Sequence, residues 1–399
     1  MDFDPPAAVR PLLDRVDRFM ADVVLPAEAE VMTHGFAERD GLLRELRRQC
    51  QAAGLWGPQI PKDLGGLGLG LVEHGLVSER LGRSPLGHYV FGAQAPDAGN
   101  LEVLHKYGTH EQHERYLAPL ARGELRSCFS MTEPENPGSN PTLMSTRADK
   151  DGDHYVINGH KWFTSSADGA AFAIVMAVTN PEAPTHNRAS MIIVPTDAPG
   201  FELTRNIKLA GEAGSGWASH AEIWYRDVRV PITNRLGPEG AGFLIAQERL
   251  GPGRIHHCMR WIGVCERVFD LMCRHVTHRK IADDKTLATR QIAQAWIAEA
   301  RAEIDAARLM VLHAAWTIEQ KGFAAARDSV SLIKFFVANI MQQVIDRAVQ
   351  LHGALGITSD TVLGFYYVHE RGARIYDGPD EVHKMVVARR ILHRHARGA

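Results

Sequence analysis

The residues with chemistry to offer gather in three short stretches. The last, ARIYDGPDEVH (Ala373 to His383), places Tyr376 and Asp377 before a Gly-Pro turn that starts a helix. Asp380 can cap that helix, with Glu381 and His383 in its first turn, where negative charge suits the helix dipole. Asp377 has no such duty and is either a turn-forming, solvated carboxylate or a general base. A second stretch, CFSMTEPENPGSN (Cys128 to Asn140), combines hydroxyls, a proline-fixed bend and a Gly-Ser pair. It is either an ordinary connection or a loop that offers backbone N–H groups and the Thr132 or Ser139 hydroxyl to a flat heteroaromatic or an anion. The third, NGHKWFTSSADG (Asn158 to Gly169), sets Trp162 and Phe163 beside Thr164 and Ser165. That is an aromatic wall with polar hooks or a sheet-core aromatic pair.

Other candidates are weaker. The 20 histidines include His256 with His257, His275 with His278 and His393 with His395. None of these pairs has HExxH spacing or a nearby CxxC, so a metal-dependent hydrolase is the lesser reading and no metal is expected. Five cysteines contain no CxxC pair, and Cys258, Cys265 and Cys273 fall along one helix flank, so buried reduced thiols are expected. The Gly-rich run LWGPQIPKDLGGLGLG does not spell GxGxxG, because counting from Gly66 the sixth position is Leu71. No βαβ context surrounds it either, which argues against a Rossmann dinucleotide site.

The elements that would position these stretches follow from periodicity. Residues 1 to 125 read as mostly helical: Leu42, Leu43, Leu46 and Cys50 repeat at helical spacing up to Gly54, and Val72 to Leu81 is a second helical stretch. From 126 to 236 the pattern becomes short β-rich runs, HYVINGHKWFTS, AFAIVMAVT, ASMIIVPT, FELTRNI and HAEIWYRDVRVP, split by turn residues such as KDGD and TDAPG. This predicts a small β domain, barrel or sandwich. From 237 to 399 the helical period returns, best in Ile333, Phe336, Val337, Ile340, Met341, Val344 and Ile345, with Gly353 as a stop. The fold class is therefore mixed α and β, mainly α, with an N-terminal helical domain, a middle β domain and a C-terminal helical bundle.

Bulk properties exclude several functions. At 399 residues the chain exceeds one core, and 45 Lys plus Arg against 47 Asp plus Glu give no field to concentrate on nucleic acid or an anionic membrane. The start has no basic segment followed by an apolar stretch, and no run of about 18 apolar residues occurs. A cytoplasmic protein without a membrane span is expected.

Taken together, MTEP followed by Gly138-Ser139, NGHKWFTSS, RVPITNRLG (Arg229 to Gly237), LGPGRIHHCMRWIG (Leu250 to Gly263), AVQLHGALGI (Ala348 to Ile357) and IYDGPDEVH resemble the acyl-CoA dehydrogenase family over nearly the whole chain. RLGPGRIHHCMR and DGPDEVH look especially like the branch whose vertebrate members carry a dehydrogenase module fused to kinase-like domains. The resemblance implies a C-terminal four-helix bundle, FAD, an acyl-CoA substrate, an electron-transferring flavoprotein as acceptor, and a homotetramer or homodimer with FAD at subunit interfaces. It implies that Phe129, Met131, Thr132, Gly138 and Ser139 line flavin and substrate, with Phe163, Thr164 and Ser165 continuing the flavin wall. Gln291, Gln350 and Gly353, with a cation at Arg279 or Lys280, match positions that hold the far end of FAD across a subunit interface. Pro379 and Glu381 count among the cofactor residues, and Ser139, Arg254, Tyr376 and Gly378 among those near substrate.

The family's base aligns with Asp377, in Tyr376-Asp377-Gly378-Pro379. An alternative base seat on the helix before Arg254 is here Gly253, which favours Asp377 as base and Arg254 as its orienting partner. The expected reaction is removal of the α proton by Asp377 with loss of the β hydride to flavin N5, giving a trans-2-enoyl-CoA. A buried apolar slot is expected to raise that carboxylate's pKa. Departures are RKIADD (Arg279 to Asp284), which lacks the usual Phe-Gly, and Ala354 in place of a second glycine. Rival readings are a flavin oxidase of acyl-CoA or nitroalkane type and a catalytically inactive flavin-binding scaffold.

Overall fold

The computed structural model describes residues 4–396. The chain forms two compact units, one drawn from residues 1–28, 70–88 and 251–399, the other from 29–69 and 89–250. The long helix Gly242–His278 contains the boundary between them.

The first unit is helical. Its main elements are Leu71–Leu81, the later part of Gly242–His278, Gln291–Lys321, Phe323–His352 and Asp380–Ala396. The apolar stripe of Phe323–His352 is buried as its spacing predicts: Ile333, Val337, Ile340, Met341, Val344 and Ile345 join one core with Val311, Ala315, Trp261 and Cys265. That helix stops where Gly353 adopts φ +63°, a left-handed conformation that a β-carbon would disfavour. Two glycines let helices meet backbone to backbone. A methyl group on Gly263 would collide with the Glu79 carbonyl, and one on Gly82 with the Arg260 carbonyl, so Leu71–Leu81 and Gly242–His278 cross at a distance only glycine permits.

The second unit is built on an eight-stranded sheet. Its strands are β1 (Ser127–Ser130), β2 (Arg147–Asp151), β3 (His154–Ser165), β4 (Phe172–Val178), β5 (Ala189–Pro195) and β6 (Phe201–Asn206). A small hairpin of β7 (Lys208–Leu209) and β8 (Glu212–Ala213) precedes β9 (His220–Pro231) and β10 (Arg235–Leu236). The sheet runs β10-β5-β4-β2-β3-β9-β6, with β1 beside β4. The unbroken apolar run of β4 follows from burial on both faces. Phe172, Ile174 and Met176 pack with Leu101, Leu104, Tyr116 and Leu117 of the helices. Ala173, Val175 and Ala177 face Tyr155, Ile157, Ile223 and Tyr225 in a second core. The β runs read from the sequence are β3, β4, β5, β6 and β9, joined by the predicted turns. No helix among the described residues is long and apolar enough to cross a membrane.

Candidate active site

In the helical unit, the turn carrying Asp377 is held by three helices. Asp377 sits at φ +54° and Gly378 at φ +97°, left-handed conformations that persist only where the surroundings enforce them. Arg254 Nε donates to the Asp377 carbonyl at 3.2 Å, and His383 Nε2 meets the same oxygen at 3.1 Å. Lys334 Nζ, fully buried, donates to the Ala373 and Gly378 carbonyls at 2.7 and 2.8 Å. Gly378 is required twice over, by its φ and because a β-carbon would lie 2.7 Å from His383 Nε2. At Gly253 an added β-carbon would meet nothing within 4 Å.

The Asp377 carboxylate is about one-fifth exposed, and His257 Nε2 lies 3.3 Å from its Oδ2. Burial lowers the pKa of His257 despite the opposing pull of Asp377. Burial likewise lowers Lys334, whose ammonium Asp377 and Asp380 help retain, and brings His383 down to about 4. A second buried group joins Leu71–Leu81, the short helix Gly87–Val90 and the same long helix: the His74 and His256 rings stand 4.0 Å apart, and Ser78 Oγ bonds His88 Nε2 at 2.8 Å. Burial drives all three histidines toward the neutral form.

One expectation for this turn is revised. Asp380 does not cap its helix with its side chain: it is the first helical residue, buried, and its Oδ2 accepts from Asn339 and Arg374, each at 2.8 Å. The helix start is instead held by the Pro379 carbonyl, which receives the Val382 and His383 N–H groups. Tyr376 turns its hydroxyl into the fold, where Arg260 and Trp261 donate to it at 3.1 and 3.2 Å, so only its ring and backbone are left to face a ligand. Arg260 is itself clamped in a two-pronged pair with Glu370. Pro379 is partly buried and Glu381 exposed.

Arg279, Gln291, Gln350 and Gly353 are all exposed on this chain. The His275 ring stacks on His352 at 4.0 Å, and its protonation is opposed by burial and then by His352 and Arg279. The end of one long helix therefore meets the end of another beside Gly353.

In the sheet unit, the loop after β1 is anchored by a buried ion pair. Lys161 Nζ donates to Glu133 Oε1 at 3.0 Å and to the Met131 carbonyl at 2.8 Å, with both charged side chains essentially unexposed. Glu133 also accepts from the Ser145 N–H (2.7 Å) and hydroxyl (2.8 Å), the Thr146 N–H (2.8 Å) and Asn136 (2.6 Å). Burial alone would raise its pKa, but the Lys161 ammonium and these donors prevail and hold it at about 2. Burial pushes Lys161 down to about 8 against the pull of Glu133, so both are charged at neutral pH. Met131, Thr132 and Gly138 line a half-open concavity with Glu133, Asn136 and Met144, while Ser139 is exposed beside it.

The aromatic pair is displayed by a bulge. Between Lys161 and Thr164, β3 carries one extra residue relative to β9. Phe163 sits there at φ +48° and 41% exposed, an aromatic ring pushed out of the sheet. Trp162 N donates to the Thr132 carbonyl at 3.0 Å, tying the bulge to the loop after β1. Its indole Nε1 is buried with no acceptor, a donor that such a site rarely leaves unmet. Thr164 is buried and its hydroxyl shared with Ser130, whereas Ser165 Oγ meets His220 Nδ1 at 2.8 Å. Phe129 lies under the Arg249 guanidinium, 4.2 Å from its ring centroid.

Three family models cover nearly all of the chain: the acyl-CoA dehydrogenase N-terminal domain over residues 7–124, the middle domain over 128–228 and the C-terminal domain over 240–392. The chain belongs to the acyl-CoA dehydrogenase family. The "Probable acyl-CoA dehydrogenase FadE2" of Mycobacterium tuberculosis is 42% identical over 99% of this chain and 98% of that protein. "Acyl-CoA dehydrogenase family member 11" of Rattus norvegicus is 38% identical over 97% of this chain, which spans only 50% of that longer protein. Butyryl-CoA dehydrogenase from Megasphaera elsdenii superposes with a TM-score of 0.82 at 26% identity, covering 98% of this chain and all of that one. The enzyme class is thus the FAD-dependent acyl-CoA dehydrogenases, a family of flavoproteins.

The residues present fit such a cofactor. An exposed Phe163 ring, the unpaired Trp162 indole N–H and the concavity at Met131 and Thr132 suit a flat polar heteroaromatic. Sequence reading missed two groups. The Glu133–Lys161 pair lies within the motifs it quoted, but neither residue signals pairing until β3 and the loop meet. His257 was weighed only as half of a metal pair, although its i+3 spacing from Arg254 already placed both on one helix face. Among the described residues no three His, Cys, Asp or Glu side chains are arranged to hold a metal ion.

Proposed function

We propose that this chain oxidises an acyl-CoA thioester to the trans-2-enoyl-CoA, with Asp377 removing the α proton. FAD, when bound, would supply the acceptor for the β hydride, with an electron-transferring flavoprotein as the expected partner for the electrons. The observation that carries the reading is the Asp377 turn, a strained backbone pinned at its carbonyls by Arg254, Lys334 and His383 that carries a partly buried carboxylate. A side chain merely capping a turn needs no such enforcement.

The chain's own residues have distinct tasks. Arg254 grips the backbone of the base, holding the Asp377 carbonyl at 3.2 Å. Lys334 and Gly378 keep the turn in the one conformation that presents the side chain. Phe129, Met131, Thr132, Gly138, Ser139, Phe163, Thr164 and Ser165 would receive the isoalloxazine, Thr164 through its backbone. Tyr376 and Gly378 would flank the thioester. Arg279, Gln291, Gln350 and Gly353, exposed here, would hold the diphosphate end of FAD at a homotetramer or homodimer interface.

Replacing Asp377 with Asn and with Ala tests the assignment. Positioned general bases typically contribute about 100- to 10,000-fold in rate, so anaerobic bleaching of the flavin by an accepted acyl-CoA should slow by that factor while FAD is retained. Unchanged bleaching in FAD-replete Asp377→Asn rejects Asp377 as the base.

A further inference from the structure

Resting on the reading of Asp377 as base, we propose that His257 is its positioning residue: a neutral imidazole that engages Oδ2 and leaves the other carboxylate oxygen to face substrate. Arg254, His257 and Trp261 fall on one face of Gly242–His278, at i, i+3 and i+7. Arg254 grips the carbonyl of residue 377, and His257 Nε2 stands 3.3 Å from its side-chain oxygen. One helix face therefore addresses both the backbone and the carboxylate of the same residue.

The imidazole is wedged in place. Its ring lies 5.5 Å from Tyr376 and 6.1 Å from Trp261, centroid to centroid, and the Tyr376 hydroxyl is fixed by Arg260 and Trp261. Those neighbours leave it little room to rotate, and an aspartate has only two side-chain torsions to fix. The charged groups around it are Arg254 and Arg260 on its own helix, Lys334 on Phe323–His352, and Glu370 and Asp377 on the segment before the last helix. Burial, joined by Arg260 and Lys334, lowers the pKa of His257 against the pull of Asp377 and Glu370, which favours the neutral imidazole. The chemical advantage of neutrality is specific. A cation in contact with Asp377 would stabilise the carboxylate strongly and weaken it as a base, whereas a neutral N–H orients it with a smaller loss of basicity.

The test uses the holoenzyme and the saturated straight-chain acyl-CoA, from butyryl- to palmitoyl-CoA, that bleaches the wild type fastest. Anaerobic stopped-flow flavin reduction is compared for wild type, His257→Phe and His257→Gln, with α-protiated and α-dideuterated thioester. His257→Phe should reduce about ten- to hundredfold more slowly, the loss expected for one hydrogen bond to a charged group, with FAD content and acyl-CoA Kd unchanged. Its α-deuterium isotope effect should rise, because proton removal becomes more rate-limiting. His257→Gln, which retains an N–H donor, should recover most of the rate. If His257→Phe does not fold, His257→Asn, whose amide is too short to reach Oδ2, takes its place with the same expectation. Equal rates in the wild type and the non-donor variant, or a slowing with no change in isotope effect, overturn the inference. A wild type that no member of the panel reduces overturns the dehydrogenase reading, and this inference with it.

Discussion

Lys161→Met isolates the ion pair that shapes the loop after β1. Methionine fills the lysine stem but removes the ammonium, leaving the Met131 carbonyl without its donor and Glu133 without its counter-charge in a site where both side chains are essentially unexposed. Breaking a buried pair by deleting one partner costs about 3 to 5 kcal/mol. Glu133 keeps the donors from Asn136, Ser145 and Thr146, so the lower end, about 3 kcal/mol, is expected. For a unit of this size each kcal/mol lowers Tm by about 2 to 4 °C, which gives roughly 6 to 12 °C by scanning calorimetry.

The pH dependence checks the cause. Because the native state holds Glu133 at about 2, below its ordinary 4.5, its stabilisation is complete above about 4.5 and is lost as pH falls toward about 2. The Lys161→Met deficit should therefore be largest near neutrality and shrink through that acid window, where a protonated Glu133 no longer needs the ammonium. Adding Glu133→Gln to Lys161→Met should restore stability relative to the single variant. A deficit below about 1 kcal/mol, or one that does not change with pH, refutes the argument.

Gly263→Ala should destabilise by about 2 to 3 kcal/mol in denaturant titrations, because the new methyl meets the Glu79 carbonyl. The sign is diagnostic, since alanine for glycine at an uncrowded helical position stabilises, and a neutral or stabilising outcome would mean the two helices do not cross that closely. Of the five cysteines, Cys50, Cys128, Cys258 and Cys265 are buried, and only Cys273 is half-buried. Burial also raises the thiol pKa values and so suppresses the reactive thiolate. Native protein should thus expose about one thiol to a disulfide reagent and all five only after unfolding, and rapid reaction of two or more would contradict the packing.

Much of the fold was legible because it rests on short-range regularities. The stripe from Ile333 to Ile345, the stop at Gly353 and the strands β3, β4, β5, β6 and β9 follow from helical spacing, turn residues and β-rich runs that a segment carries by itself. The motif at Tyr376-Asp377-Gly378-Pro379 likewise named the candidate base, but only through the family resemblance, since by themselves these residues left a turn-forming carboxylate equally open. What the sequence could not supply was pairing between groups that meet only in the folded unit.

That Leu71–Leu81 belongs with the C-terminal helices depends on the crossing at Gly82 and Gly263, which no local period announces. Asp380 has the composition of a cap, but Asn339 and Arg374 lie beside it only in the packed unit and draw its carboxylate inward. The same holds for Lys161 with Glu133 and for His257 with Asp377. Sequence determined which groups were available and which local conformations they could adopt, because these depend on neighbours along the chain. Tertiary structure alone decided which charges were desolvated together, and burial and proximity are what turn a common residue type into a base, a clamp or a counter-ion.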